Sequence, residues 1–163
     1  MRNLLILLSI ILTLSISSCR KDFSTVPSFG PLEFSQDTVF LDTIFSNIGS
    51  ATYNLKVYNR GNQDITIPTI VLEKGLSSNY RLNVDGVPGK DFQNIDILAK
   101  DSIFVFVETT VDISSISDPL YTDKILFDNG TNQQEVELVT LVQDANFIYP
   151  DRDPFNMTLS SLI

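Results

Sequence analysis

The chain has 163 residues, 11 Lys and Arg against 20 Asp and Glu, a single cysteine, and neither histidine nor tryptophan. A formal charge of −9 argues against nucleic acid as a partner, because that binding needs clustered cations to displace counterions from phosphate. Without histidine, Ser-His-Asp and Cys-His catalysis and histidine-based zinc sites are excluded, and one cysteine can form no disulfide within the chain.

Residues 1–18 read as a secretory leader: Arg2 is a short basic head, residues 4–16 are an apolar run broken only by hydroxyl residues, and small Ser17 and Ser18 follow. A membrane-spanning helix takes about 20 apolar residues, more than this run supplies. Ile16-Ser17-Ser18-Cys19 resembles the bacterial lipobox. That resemblance implies cleavage between Ser18 and Cys19 and a diacylglyceryl group on the Cys19 sulfur. Several acyl chains hold a protein on a membrane at about 0.8 kcal/mol per buried CH₂. Removing the leader takes away Arg2 alone, leaving 10 basic and 20 acidic residues and a formal charge of −10.

Residues 19–31 are rich in Ser, Pro and Gly and read as a flexible lipidated tether. Lys21-Asp22 resembles a short version of the charged tag behind the lipidated cysteine of Bacteroidota surface lipoproteins. The resemblance implies an envelope location, with outer membrane expected and the leaflet left open.

From residue 32 the pattern is short β-type runs between turn residues, with no long window of helical period. Residues 38–44 (TVFLDTI) and 52–58 (TYNLKVY) are expected strands joined across a turn at 46–50. In residues 64–72 (DITIPTIVL) the apolar parity changes at Pro68, which predicts a bulge or a change of sheet. Tyr80, Leu82 and Val84 alternate with polar residues up to an Asp85-Gly86 turn, and a looser loop over 87–94 follows. Residues 95–98 are a short strand, and 102–109 (SIFVFVET) are apolar for five residues running, which predicts a central strand buried on both faces. After a polar connection over 112–121, residues 123–127 and 134–142 form a hairpin across Asp128-Asn129-Gly130-Thr131-Asn132. Seven to eight strands without a helix predict an all-β, two-sheet β-sandwich over residues 32–144.

Leu55-Lys56-Val57-Tyr58-Asn59-Arg60-Gly61-Asn62 followed by Ile65-Thr66-Ile67 resembles the signature of Hydin-type (ASH-like) immunoglobulin-like domains. The turn at Ala99-Lys100-Asp101 before residues 102–109, and the closing hairpin, fall where that pattern expects them. Lys100 and Asp101 replace the usual turn pair, and Gln143-Asp144-Ala145 stands where a glycine is common. The resemblance implies an immunoglobulin-like sandwich. Residues 145–163 are expected to be a tail or the truncated start of a further domain.

No Gly-x-Ser-x-Gly, phosphate loop or dinucleotide fingerprint occurs, so no cofactor is expected and the chain is read as a non-enzyme. The oxygen-rich residues 128–132 are read as a turn in preference to a calcium loop, and no metal site is assigned. Thr38, Thr43 and Ser102 each follow Asp and precede an apolar residue, which resembles the O-glycosylation triplets of exported Bacteroidota proteins. Two functions are expected. One is a membrane-anchored, non-catalytic structural or adaptor module. The other is a module whose loops bind a glycan or an envelope protein, with Tyr80, Phe92, Tyr121, Phe147 and Tyr149 as the aromatic candidates.

Overall fold

The structure, a computed structural model, describes residues 24–28, 31–128 and 132–145. Eleven strands and two single-turn 3₁₀ helices make up the described fold. The strands are β1 (Val26–Pro27), β2 (Glu33–Phe34), β3 (Thr38–Phe45), β4 (Tyr53–Tyr58), β5 (Ile65–Leu72), β6 (Tyr80–Val84), β7 (Val87–Gly89), β8 (Asp91–Ile97), β9 (Ser102–Thr109), β10 (Leu120–Asp128) and β11 (Gln133–Gln143).

They form two sheets, and the chain is an immunoglobulin-like β-sandwich. One sheet runs β5-β10-β11-β3, with β8 on the far edge of β5 and β1 beside the start of β5; the other runs β2-β4-β9-β6-β7. The neighbours β4-β9-β6 opposite β5-β10-β11 match the B-E-D and C-F-G groups of immunoglobulin folds. Strand β3 runs parallel to the last strand, β11. The core lies between the sheets. It is filled by alternate residues such as Leu55 and Val57 of β4, Val105 and Val107 of β9, Ile125 and Phe127 of β10, and Val136 and Leu138 of β11.

Eight strands exceed three residues, in line with the sequence pattern, whereas β1, β2 and β7 are too short to show a period. The expected loop over 87–94 instead holds β7 and the start of β8. Asp85 and Gly86 both have positive φ, 49° and 86°, so β6 and β7 are joined by the mirror-image turn that matches strand twist. At Pro68 the chain stays in one sheet. Ile67 lies opposite Ile95 and Thr69 opposite Gln93, so register with β8 is kept, and Asn94, facing Pro68, takes φ 54°. Both strands change their inward parity together, which is why no residue is inserted.

A bulge does occur in β3. Phe40 pairs with Val139 and Thr43 with Leu141, so two residues face Thr140, and Asp42 adopts φ 60°. Burial on both faces does not hold for β9. It is central, between β4 and β6, but Phe104 and Phe106 are each 38% exposed on the outer face. The apolar run was a stacked phenyl pair (centroids 5.7 Å apart, planes within 9°) facing water, with the Lys56 ammonium 4.5 Å over Phe104.

The segment expected to be a flexible tether is in part structured. Val26 N donates to Asp64 O at 3.0 Å and Ser28 N to Thr66 O at 3.0 Å, so β1 adds to β5 in parallel. Farther on, Gln134 grips the Leu32 backbone from both sides, its Oε1 accepting from Leu32 N at 2.6 Å and its Nε2 donating to Leu32 O at 3.1 Å. Residues 1–23, including Ser18 and Cys19, and 146–163 lie outside the described residues.

Candidate functional site

The entry end of the sandwich is organised by Asn59, the last residue before the β4–β5 turn. Its side chain is 4% exposed and fully used. The Nδ2 group donates to Gln63 O (2.7 Å), Ile97 O (3.1 Å) and Leu98 O (3.1 Å), and Oδ1 accepts from Gly61 N at 2.9 Å. The backbone adds a donation from Asn59 N to Asp101 O at 2.9 Å. One amide thus ties the β4–β5 turn to the β8–β9 turn across the two sheets. The glycine two residues on follows from this geometry, since a Cβ at Gly61 would lie 3.0 Å from Asn59 Oδ1. The Asn-x-Gly spacing read from the sequence is therefore a side-chain clasp, and Lys100, at φ 61°, turns tightly enough for its N–H to reach Gly61 O at 3.2 Å.

Against this clasp lies a cleft of about 280 Å³, walled on one side by the entering segment (Pro27, Ser28, Leu32, Glu33) and on the other by Tyr58 and Arg60. Arg60 crosses its mouth. Nε contacts both oxygens of Glu33 at 3.2 Å, Nη2 reaches Glu33 Oε1 at 2.9 Å, and the guanidinium carbon sits 4.1 Å over the Tyr58 ring. Hydrogen bonding to Arg60 holds the Glu33 carboxyl below its ordinary pKa. Ser28 lines the cleft at 2% exposure, and its hydroxyl has no hydrogen-bond partner among the described residues.

The opposite end holds a second buried polar group. Tyr80 is fully buried and donates from its hydroxyl to Tyr121 O at 2.9 Å, while the rings stack at 5.2 Å; Tyr121 OH accepts from Asn79 N at 2.9 Å. Burial pushes the Tyr80 phenol well up, and the nearby Asp123 charge adds to this. Asp123 Oδ1 accepts from Lys74 N and Lys124 N at 3.2 and 2.8 Å, but Oδ2 and the Thr140 hydroxyl are buried without hydrogen-bond partners among the described residues.

These placements correct the aromatic binding candidates. Tyr80, Phe92 and Tyr121 are core residues, because alternation in β6, β8 and β10 points them between the sheets. Phe147 and Tyr149 lie outside the described residues. The aromatics exposed among the described residues are Phe104 and Phe106 on one sheet and Phe40 and Phe45 on the other; Phe40 flanks a shallow groove with Leu120 and Leu141.

Of the glycosylation candidates, Thr43 is exposed, freed by the bulge at Asp42, whereas Thr38 and Ser102 are half-buried. Asn129, Gly130 and Thr131 of the loop weighed for calcium lie outside the described residues. Among the described residues, no group of three or more acidic side chains gathers into a metal site, and no helix is long and apolar enough to cross a membrane.

No family model matches the chain, and no curated protein matches it. Among solved structures, it is similar to a family 123 glycoside hydrolase from Clostridium perfringens, at 9% identity and TM-score 0.47, over 67% of this chain and 23% of that one. A FixG-related protein from Vibrio parahaemolyticus gives 19% identity and TM-score 0.40 over 60% and 81%. The periplasmic chaperone SfaE gives 11% identity and TM-score 0.41 over 74% and 61%. None of these likenesses bears on what the chain does.

Proposed function

We propose that the protein is a lipid-anchored envelope lipoprotein whose immunoglobulin-like domain, of the Hydin type, acts as a non-catalytic spacer or adaptor. The observation that supports this reading most is the path of the chain. The entering segment is fixed at one end, where β1 continues the line of β10 beyond the Asp128–Gln133 pair. Strand β11 then runs from that pair to Gln143, beside Phe45 at the other end. Eleven residues at about 3.3 Å each make a rod of about 36 Å. Whatever follows residue 145 is held that far from the point of entry.

Cys19 and the first described residue, Ser24, are five Cα steps apart, a reach of at most about 18 Å. A lipid on Cys19 therefore keeps the Asn59 end close to the membrane and turns the far end outward. A Cys19→Ala chain expressed in a lipoprotein-processing host tests the anchor. It leaves the membrane fraction if acyl chains hold the protein, and stays there if a surface of the sandwich does.

The second reading, a glycan- or protein-binding module, draws on the exposed Phe104–Phe106 pair in place of Tyr80, Phe92 and Tyr121, which are buried. Loss of partner capture in a Phe104→Ala/Phe106→Ala chain of unchanged stability supports it.

A further inference from the structure

Two of the strand pairings among the described residues are parallel, and both are made by the segment that enters the fold. Strand β1 runs beside β5, with Val26 opposite Ile65, and β3 runs beside the last strand, β11, in six registered pairs from Thr38–Glu137 to Phe45–Gln143. Strand β2 also heads from the entry end toward the exit end, since it is antiparallel to β4, which returns to Asn59. The chain thus enters at one end and leaves at the other, with its first and last long strands side by side in one direction. Antiparallel neighbours alone can close a two-sheet sandwich, so this arrangement is a feature in its own right.

The consequence is mechanical. Tension between the residues before Val26 and those after Gln143 acts along the axes of β3 and β11 and slides one strand past the other. Interstrand hydrogen bonds run between the strands, so under a lengthwise pull they share the load and give way together, whereas a crosswise pull opens them one at a time. The ladder is closed at both ends, by Glu137 N donating to Asp37 O at 2.9 Å and Ser46 N donating to Gln143 O at 2.8 Å. In its middle, where the bulge at Asp42 interrupts it, the Tyr53 hydroxyl donates to Asp42 Oδ2 at 2.5 Å and ties β3 to the opposite sheet. Strand β11 is held on its other edge by nine registered pairs with β10, which leaves β3 as the strand that must slip. We propose that the β3–β11 ladder is a clamp that lets the domain stand tension between its two ends, and that its rupture is the step that limits unfolding under such a pull. The clamp belongs to the described fold; that tension reaches it in the cell rests on the reading of the domain as a spacer tethered through Cys19.

The test is single-molecule force spectroscopy on the chain from residue 19, which contains the whole described fold, with Cys19→Ser to remove the competing thiol. Handles at Ser24→Cys and Ala145→Cys pull lengthwise. Handles at Ile48→Cys and Ala145→Cys, both at the exit end, draw β3 and β11 apart crosswise. None of these three positions is a core residue, and matching urea midpoints show that the two handled chains share one stability. At one clamped force, unfolding is expected to be at least about fivefold slower lengthwise than crosswise. The main lengthwise step should release residues 38–143 at once, a gain of about 350 Å. Tyr53→Phe, which removes the tie at the bulge, should speed lengthwise unfolding about threefold. A smaller ratio between the two directions, or a main step far shorter than that gain, overturns the proposal. The pulled chain carries no lipid, so the two readings fail separately. A weak ladder together with loss of the Cys19→Ala chain from membranes refutes the clamp and keeps the anchor, and a strong ladder together with a Cys19→Ala chain that stays on membranes does the reverse.

Discussion

The two ends of the sandwich are each crossed by a buried polar group, and they are satisfied to different degrees. At the entry end, one Asn59 amide meets three carbonyls and one N–H and leaves nothing over. At the exit end, Tyr80 from one sheet meets Asp123 and Thr140 from the other between the sheets, yet Asp123 Oδ2 and Thr140 Oγ1 find no partner among the described residues. The comparison teaches that burial alone does not rank polar residues. A satisfied group fastens two turns, whereas an orphaned one costs desolvation with no return.

The largest consequence is expected at Asn59. Asn59→Ala removes the side-chain donor to the Gln63, Ile97 and Leu98 carbonyls, of which Leu98 O keeps the Asp101 N–H, and should lower stability by about 2 kcal/mol in urea unfolding. If the midpoint barely moves, the clasp is not what joins the turns. Next comes a paired test at the exit end. Tyr80→Phe loses the bond to Tyr121 O and should cost about 1 kcal/mol, while Thr140→Val removes an orphaned hydroxyl at nearly constant volume and should fall within about 0.5 kcal/mol of neutral. Equal losses would erase the distinction between satisfied and orphaned groups.

Tyr80 also sets a pH dependence. Its folded pKa lies above the unfolded value near 10, so the folded state keeps a proton that the unfolded chain gives up. Stability is full below pH 10 and falls as pH rises beyond it, and Tyr80→Phe should flatten that fall in alkaline urea titrations. The smallest effect belongs to the entry-end surface pair. Arg60→Ala should leave the urea midpoint where it is, because the pair is exposed.

Much of the sandwich was legible because a two-residue period survives in β4, β6, β10 and β11, where one face is buried. The Asn59–Gly61 spacing was legible as a pattern, but its cause was not, since the three carbonyls it holds come from residues up to 39 positions away. The run at 103–107 misled for a plain reason: Phe104 and Phe106 are apolar in composition but stand outward, shielded by each other and by Lys56. Strand β1 was hidden by its brevity and by Pro27, whose context resembles a linker until Asp64 O and Thr66 O are seen to accept from its flanks. The cleft exists only because that segment folds back, so no local signal could have disclosed it.

The proposed membrane attachment depends on the Cys19 sulfur, outside the described residues. Intact-mass spectrometry of the protein taken from the membranes of its native host tests it most directly. The expected species begins at Cys19 and carries the added mass of a diacylglyceryl group. A chain that retains residues 1–18, or one that starts at Cys19 with a free thiol, would contradict it.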